Sequence, residues 1–228
     1  AAPRITAFEA PGRERRGMTL VAFDFDGTLS DSEMTVLLGD QCGVAAEMEE
    51  ITQQAMNDEI GYAESLRSRC ALLEGLRKAQ AEDAFDQVVL REDAAMVIEN
   101  LNAAGHHTAI LTGGFERGVE RALEKAGVTV DSIVANRLPM AADELTGEVE
   151  GPLIEGTKDD ALEDLAGTVG VEMADTVAVG DGANDMPMLE VAGLSIGFDP
   201  KPAVEPACDT IVLSMAELHG LLEAEGVL

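Results

Sequence analysis

The sequence predicts an α/β fold: a Rossmann-like doubly wound parallel sheet with a small helical cap inserted after the first strand. Three observations predict it. Short apolar runs such as TVAVG (176–180) and LSIGF (194–198) alternate with segments whose apolar residues recur at three- and four-residue spacing. Such alternation implies a parallel sheet covered by helices on both faces. The block from Glu33 to Val89 breaks the alternation, because it holds helical spacing and no convincing strand. Finally, 228 residues with 46% hydrophobic content are enough for one α/β core plus a small insertion.

The elements follow in order. Residues 1–17 hold four Arg, two Glu, two prolines and no clear period, and are expected to be a disordered leader, with Met18 a candidate natural start. A strand is expected at 19–24 (TLVAFD). The stretches MTVLLGDQCGV (34–44) and YAESLRSRCALL (62–73) read as cap helices, which sets the cap at 33–89 and the core at 18–32 and 90–228. A helix at 92–104 stops at Gly105, the strand TAILT spans 108–112, and a helix at 116–126 stops at Gly127. The strand SIVAN (132–136) leads into a hairpin, RLPM…LTGEVEG. Helix 158–168, strand 176–180, helix 184–191, strand 194–198 and a last helix near 215–223 complete the chain.

Composition excludes several functions. There are 44 Asp and Glu against 15 Lys and Arg, a net charge of −29. Nucleic-acid binding needs basic patches, so it is not expected. No run approaches the roughly 18 apolar residues of a membrane helix. Three widely spaced cysteines, Cys42, Cys70 and Cys208, form no zinc or disulfide pattern, are expected as buried small hydrophobes and fit a reduced, cytoplasmic compartment. So acidic a surface suits molar salt, where the Debye length falls to about 3 Å, and is the pattern of salt-loving cytoplasms. His106 and His107, with no acidic partner in ligand spacing, read as structural.

Ligands of open parallel sheets bind beyond the carboxyl ends of the strands, and four loops there carry polar groups. In DFDGT, Asp24 and Asp26 are two residues apart in extended chain, so both can face one point while Phe25 faces the core. The Gly27-Thr28 turn can present N–H groups to an anion. In LTGGF, Thr112 ends a strand and Gly113-Gly114 are expected to open a helix, together a phosphate cradle. Lys158 starts a helix, where the macrodipole disfavours a cation, so an anionic partner is expected. In VGDGAND, Asp181 ends a strand and Asn184 and Asp185 begin the next helix. Carboxylates converging on Asp24 need a divalent ion, and Mg²⁺ suits a site of few carboxylates plus phosphate oxygens. Each loop alone would pass for an ordinary turn; four in this order would not.

These loops resemble the haloacid dehalogenase superfamily of phosphotransferases, from about Thr19 to the C-terminus. Within it the chain is similar to phosphoserine phosphatases through DFDGTLSDSE, ITQQAM, SLRSR, TGGF, ANRL, LTGEVEG and VGDGANDM. The resemblance implies a Mg²⁺-dependent hydrolysis of L-phosphoserine. Asp24 would be the nucleophile and Asp26 the acid and base. Asp24, the Asp26 carbonyl and Asp181 would hold the metal, supported by Asp185. Thr112, Gly113 and Lys158 would bind the phosphoryl group, with Asn184 orienting them. Glu33 would meet the substrate ammonium, Arg69 its carboxylate, and Met56 and Tyr62 would cover it. Two positions depart: Thr112 stands where Ser is usual and Tyr62 where Phe is common. A monomer or homodimer is expected.

Three other readings fit the same loops. The chain could hydrolyse another small phosphate ester or transfer phosphate to an acceptor alcohol. It could also be a non-catalytic, Mg²⁺-dependent module sensing phosphorylation at Asp24, by analogy with receiver domains. The second acid, Asp26, argues against the last, since a lasting switch should not lose its phosphate quickly. Asp31 has no assigned role beyond the turn into the cap.

Overall fold

The structure, a computed structural model, describes residues 17–56 and 59–228, without the Met56 side chain. The expected leader therefore lies outside the described residues, except Gly17. In chain order the elements are β1 (Leu20–Phe23), α1 (Met34–Cys42), α2 (Ala45–Met56), α3 (Tyr62–Ala71), α4 (Lys78–Phe85), α5 (Ala94–Ala104), β2 (His107–Phe115), α6 (Glu116–Ala126), β3 (Ser132–Asn136), β4 (Met140–Ala141), β5 (Glu144–Leu145), α7 (Lys158–Val169), β6 (Thr176–Gly180), α8 (Met186–Val191), β7 (Leu194–Phe198), β8 (Thr210–Val212) and α9 (Met215–Ala224).

Six strands form one sheet in the order β3-β2-β1-β6-β7-β8, and every pair is parallel. Strand β1 is central because its four residues, Leu-Val-Ala-Phe, are apolar on both sides and fully buried. Its alternation divides the core: Val21 and Phe23 enter the cluster on one face, Leu20 and Ala22 the cluster on the other. From β1 the chain builds first toward β3 and then, after β5, toward β8. The order thus reverses between β1 and β6, and a crevice opens where neighbouring strands lead away from each other. The register Phe23↔Val179 places Asp24 and Asp181 at the mouth of that crevice.

The helical block α1–α4 follows β1 as expected. Its apolar residues Met34, Leu38, Met48, Leu66, Cys70 and Leu73 join the same buried cluster as Val21 and Phe23, so it packs on the sheet's core rather than around a separate one. The expected hairpin is β4–β5, tightened by a two-residue turn in which Ala142 and Asp143 have φ of 50° and 64°, the primed geometry that matches strand twist. Backbone bonds from Gly75 to Leu145, Leu145 to Leu76 and Lys78 to Asp143 sew this hairpin to the loop between α3 and α4.

Gly105 and Gly127 end α5 and α6 in the left-handed region, φ 83° and 70°, as the sequence predicts. Three expectations are corrected. Gly113 and Gly114 do not open a helix: β2 runs on to Phe115, its register with β3 shifts between Leu111 and Phe115, and α6 starts at Glu116. Residues 183–185 form a 3-10 turn, and α8 begins only at Met186, beside Pro187. Strand β8 is a further element; at the sheet edge Thr210 is half-buried, Ile211 exposed and Val212 buried, a run too short to show an alternation. Of the cysteines only Cys70 is buried; Cys42 is exposed and Cys208 intermediate, and all three are free.

Candidate active site

The site is built on the ends of β1, β2 and β6 and the start of α7. Asp24 immediately follows β1, its N–H donating to the Val179 carbonyl of β6 at 2.8 Å. The Lys158 ammonium lies between two carboxylates, 2.6 Å from Asp24 Oδ1 and 2.5 Å from Asp185 Oδ1. All three side chains are within 4% of complete burial. The anions that offset an unfavourable helix N-terminus are thus the protein's own. Asp185 is braced further, because its Oδ2 accepts the N–H groups of Asp181 and Gly182, each at 2.9 Å. The Thr28 hydroxyl donates to Asp181 Oδ1 at 3.2 Å.

This geometry sets the protonation states. Burial alone would lower the Lys158 ammonium, but Asp185 and Asp24 outweigh it and raise its pKa, so it stays charged. One cation does not neutralise its neighbours. Burial, then the adjacent Asp185, push Asp24 well above the usual carboxylate range. Burial and Asp185 push Asp181 up to about 6. Asp26 is raised well above the usual range by burial first and then by Glu33 and Asp24. Its Oδ1 is buried with no hydrogen-bond partner among the described residues. A buried carboxyl oxygen with no donor favours the protonated form.

Asp24, Asp181 and Asp185 each offer a carboxylate oxygen, and these atoms lie within 4.8 Å of one another. Both Asp185 oxygens already accept hydrogen bonds, so Asp185 is a brace. Asp24 and Asp181 each keep an oxygen with no hydrogen bond among the described residues. Hard oxygen donors carrying excess negative charge fit a hard divalent cation.

Thr112 and the glycines after it line the other wall. The Gly114 N–H donates to Thr112 Oγ1 at 2.9 Å. A Cβ on Gly114 would stand 2.9 Å from Asp26 Oδ2, and one on Gly113 would collide with the Tyr62 hydroxyl, so this bulged strand can approach only as glycine. Glu33, exposed at the start of α1, is an electrostatic neighbour of both Asp26 and Asp181. Arg69 donates to Thr35 Oγ1 at 3.2 Å and lies within electrostatic reach of Tyr62. Asn184 sits over Gly182; no hydrogen bond joins its side chain to Lys158 or Thr112 among the described residues. The Met56 side chain lies outside the described residues. Asp31 is exposed on a bend.

Two positioning side chains escaped the sequence reading. Asn136, fully buried at the end of β3, donates to the carbonyls of Gly113 and Leu153 and accepts from the Leu153 N–H, at 3.0–3.1 Å. A polar residue closing an apolar strand was its signal. Arg91 donates to the Gly27 and Thr28 carbonyls, both at 3.0 Å, and lies 5.2 Å from the centre of the Phe198 ring. Its partners are more than 60 positions away, and no local pattern announces it. His106 and His107 are structural as expected: His106 accepts from the Thr19 N–H and bonds the Val227 carbonyl, and His107 bonds Ser132.

A family model described as haloacid dehalogenase-like hydrolase matches residues 21–190. A phosphoserine phosphatase of Halobacterium salinarum is 50% identical over 92% of this chain and all of its own length. One from Methanocaldococcus jannaschii is 38% identical over 90% of this chain and 96% of its own. Among solved structures, a substrate-bound phosphoserine phosphatase complex superposes with TM-score 0.84 at 35% identity, over 92% of this chain and 99% of that one. A phospho-aspartyl intermediate analogue of phosphoserine phosphatase gives TM-score 0.83 at 35% identity, over 90% and 99%. With its own acids gathered at the reversal of strand order, the chain belongs to the haloacid dehalogenase-like hydrolases and, among them, to the family of these phosphoserine phosphatases.

Proposed function

We propose that this hydrolase cleaves L-phosphoserine to L-serine and inorganic phosphate, in serine biosynthesis. The observation that carries the reading is the asymmetry of the first two acids. Burial raises both, but Asp24 is held by the Lys158 ammonium, whereas Asp26 keeps a buried oxygen with no hydrogen-bond donor among the described residues. One is arranged to attack and the other to hold a proton.

Asp24 attacks phosphorus, forming a P–O bond as the seryl C–O–P linkage breaks at phosphorus. Asp26 gives its proton to the departing alkoxide oxygen. In the second half Asp26, now a carboxylate, takes a proton from water as that water attacks the aspartyl phosphate, releasing phosphate and restoring Asp24. Lys158, the Thr112 hydroxyl and the Gly113 N–H take the phosphoryl oxygens, where transition-state charge is spread, and Asn184 orients them. Asp24, the Asp26 carbonyl and Asp181 would hold Mg²⁺, with Asp185 bracing. The ion, when bound, supplies positive charge against these carboxylates and the phosphoryl oxygens.

Residues 33–89 act as the cap over a core of 18–32 and 90–228. Glu33 meets the substrate ammonium and Arg69 its carboxylate, while Met56 and Tyr62 cover it. The free cysteines support a reduced, cytoplasmic setting, and no described helix is long and apolar enough to cross a membrane. The working unit is a monomer or homodimer. A Mg²⁺-dependent phosphate-release screen over small phosphate esters, at low and high KCl, tests the reading. L-phosphoserine is expected to lead. A different leading ester would reassign the substrate. Trapping by BeF₃⁻ without any phosphate release would make the chain a binding module.

A further inference from the structure

Tyr62 carries a hydroxyl that the cover role leaves unused. It is the first residue of α3, and its ring packs partly buried against the main apolar cluster. Its hydroxyl occupies the place a side chain on Gly113 would take, which puts it against the bulge of β2 that also presents Thr112. Its electrostatic neighbours are Lys158 and Asp24, then Arg69 and Asp185. The other donors of this wall are fixed in place by the protein: Lys158 by two carboxylates, and Thr112 by the Gly114 N–H that its Oγ1 accepts, which leaves its own O–H free to donate. No hydrogen bond to the Tyr62 hydroxyl is found among the described residues. Burial raises its pKa, which keeps it a neutral O–H donor. Arg69 lies seven residues, two helical turns, further along the same face of α3, so the helix presents two donors at separate points.

We propose that the Tyr62 hydroxyl donates a hydrogen bond to a phosphoryl oxygen of the bound ester, beside the Gly113 N–H and opposite Lys158. The proposal rests on the phosphatase reading above. It makes α3 a two-point reader: Tyr62 takes the phosphoryl end and Arg69 the end that varies between substrates. It also ties occupation of the phosphate site to the seating of α3, since the donor reaches the ligand only with the helix in place. Phenylalanine at this position would cover the substrate without reporting on the phosphoryl group.

Tyr62→Phe removes one oxygen and tests this. Inhibition by inorganic phosphate and KM should both weaken about ten- to a hundred-fold, the range for a hydrogen bond to a charged group. The loss should be equal on L-phosphoserine and on a plain alkyl phosphate, and the unfolding midpoint should hold. Tyr62→Leu, which also removes the ring, should lose more. Wild-type phosphate inhibition and KM in Tyr62→Phe would overturn the proposal, leaving only the cover role. A loss confined to L-phosphoserine would overturn it too, by moving the hydroxyl to the amino-acid end. If the unaltered chain neither releases phosphate from any ester nor binds inorganic phosphate with Mg²⁺, the phosphatase reading itself fails, and this proposal falls with it.

Discussion

Two clusters in this molecule each pair a basic side chain with carboxylates at similar distances, yet shift their acids in opposite directions. At the sheet edge, Lys158 meets Asp24 at 2.6 Å with both side chains no more than 4% exposed. Between α4 and α6, Arg117 meets Glu82 at 2.8 Å with side chains 45% and 25% exposed, and Arg121 meets Asp86 at 2.6 Å. In the exposed cluster the Arg117 hydrogen bond holds Glu82 below its ordinary pKa. In the buried one, desolvation raises Asp24 despite its lysine. Water decides the difference: where it is present a pair relaxes and contributes little, and where it is absent the same pair stores protonation preferences that chemistry can use.

The largest expected effects lie in the buried cluster. Asp26→Asn should lower kcat by about 10²–10⁴-fold. It should also leave the unfolding midpoint equal or higher, because a neutral amide replaces a carboxyl whose ionisation burial opposes. A variant that lost activity and stability together would make Asp26 a structural acid. Lys158→Met strands Asp24 and Asp185 without their cation. Denaturant unfolding in EDTA should show a loss of about 3–5 kcal/mol, together with loss of phosphate release. A loss below about 1 kcal/mol would erase the distinction from the surface pairs.

Asp181 gives the next effect, with a definite sign. Its folded-state pKa is raised from 3.8 to about 6, so the folded chain holds that proton more tightly than the unfolded one. The resulting stability is full below about pH 4 and is lost as pH rises toward 6. A divalent ion binds the deprotonated form. The rise in melting temperature caused by Mg²⁺ should therefore be small near about pH 4.5 and large near about pH 7.5. A rise independent of pH would place the ion elsewhere. Outside the site, a net charge of −29 should make the chain gain several degrees between about 0.1 M and about 2 M KCl. Equal midpoints would make the acidity unrelated to salt.

How far the sequence could be read follows the same division. Strand and helix alternation, the helix stops at Gly105 and Gly127 and the positions of Asp24, Thr112, Lys158 and Asp181 were legible, because period and local punctuation set them. The bulge at Gly113-Gly114 was not, since glycines before a helix look alike whether the strand ends or kinks. Nor was strand β8, because an edge strand of three residues is too short to show an alternation. Arg91 was invisible because it serves carbonyls, which any residue supplies. A lysine at a helix start implied an anionic partner; that Asp24 and Asp185 are that partner was not legible, because 134 and 27 positions separate them from Lys158.

The smallest effect belongs to the surface, and it sharpens the comparison most cheaply. Arg117→Ala removes the donor that holds Glu82. Because Glu82 has a lowered folded-state pKa, its contribution is present above its ordinary value of 4.5 and is lost as pH falls below that. The expected cost is about 0.2–1 kcal/mol at neutral pH and low salt, shrinking toward zero near about pH 3 and again in molar KCl. Equilibrium unfolding of the variant and the unaltered chain at two pH values and two salt concentrations measures all of this. Lys158→Met should answer the same matrix differently: its cost should grow with pH, as Asp24, whose pKa burial raises, gives up its proton, and should survive high salt, because ions do not reach a pair this deeply buried. If both variants responded alike to pH and salt, burial would not be what separates the two clusters.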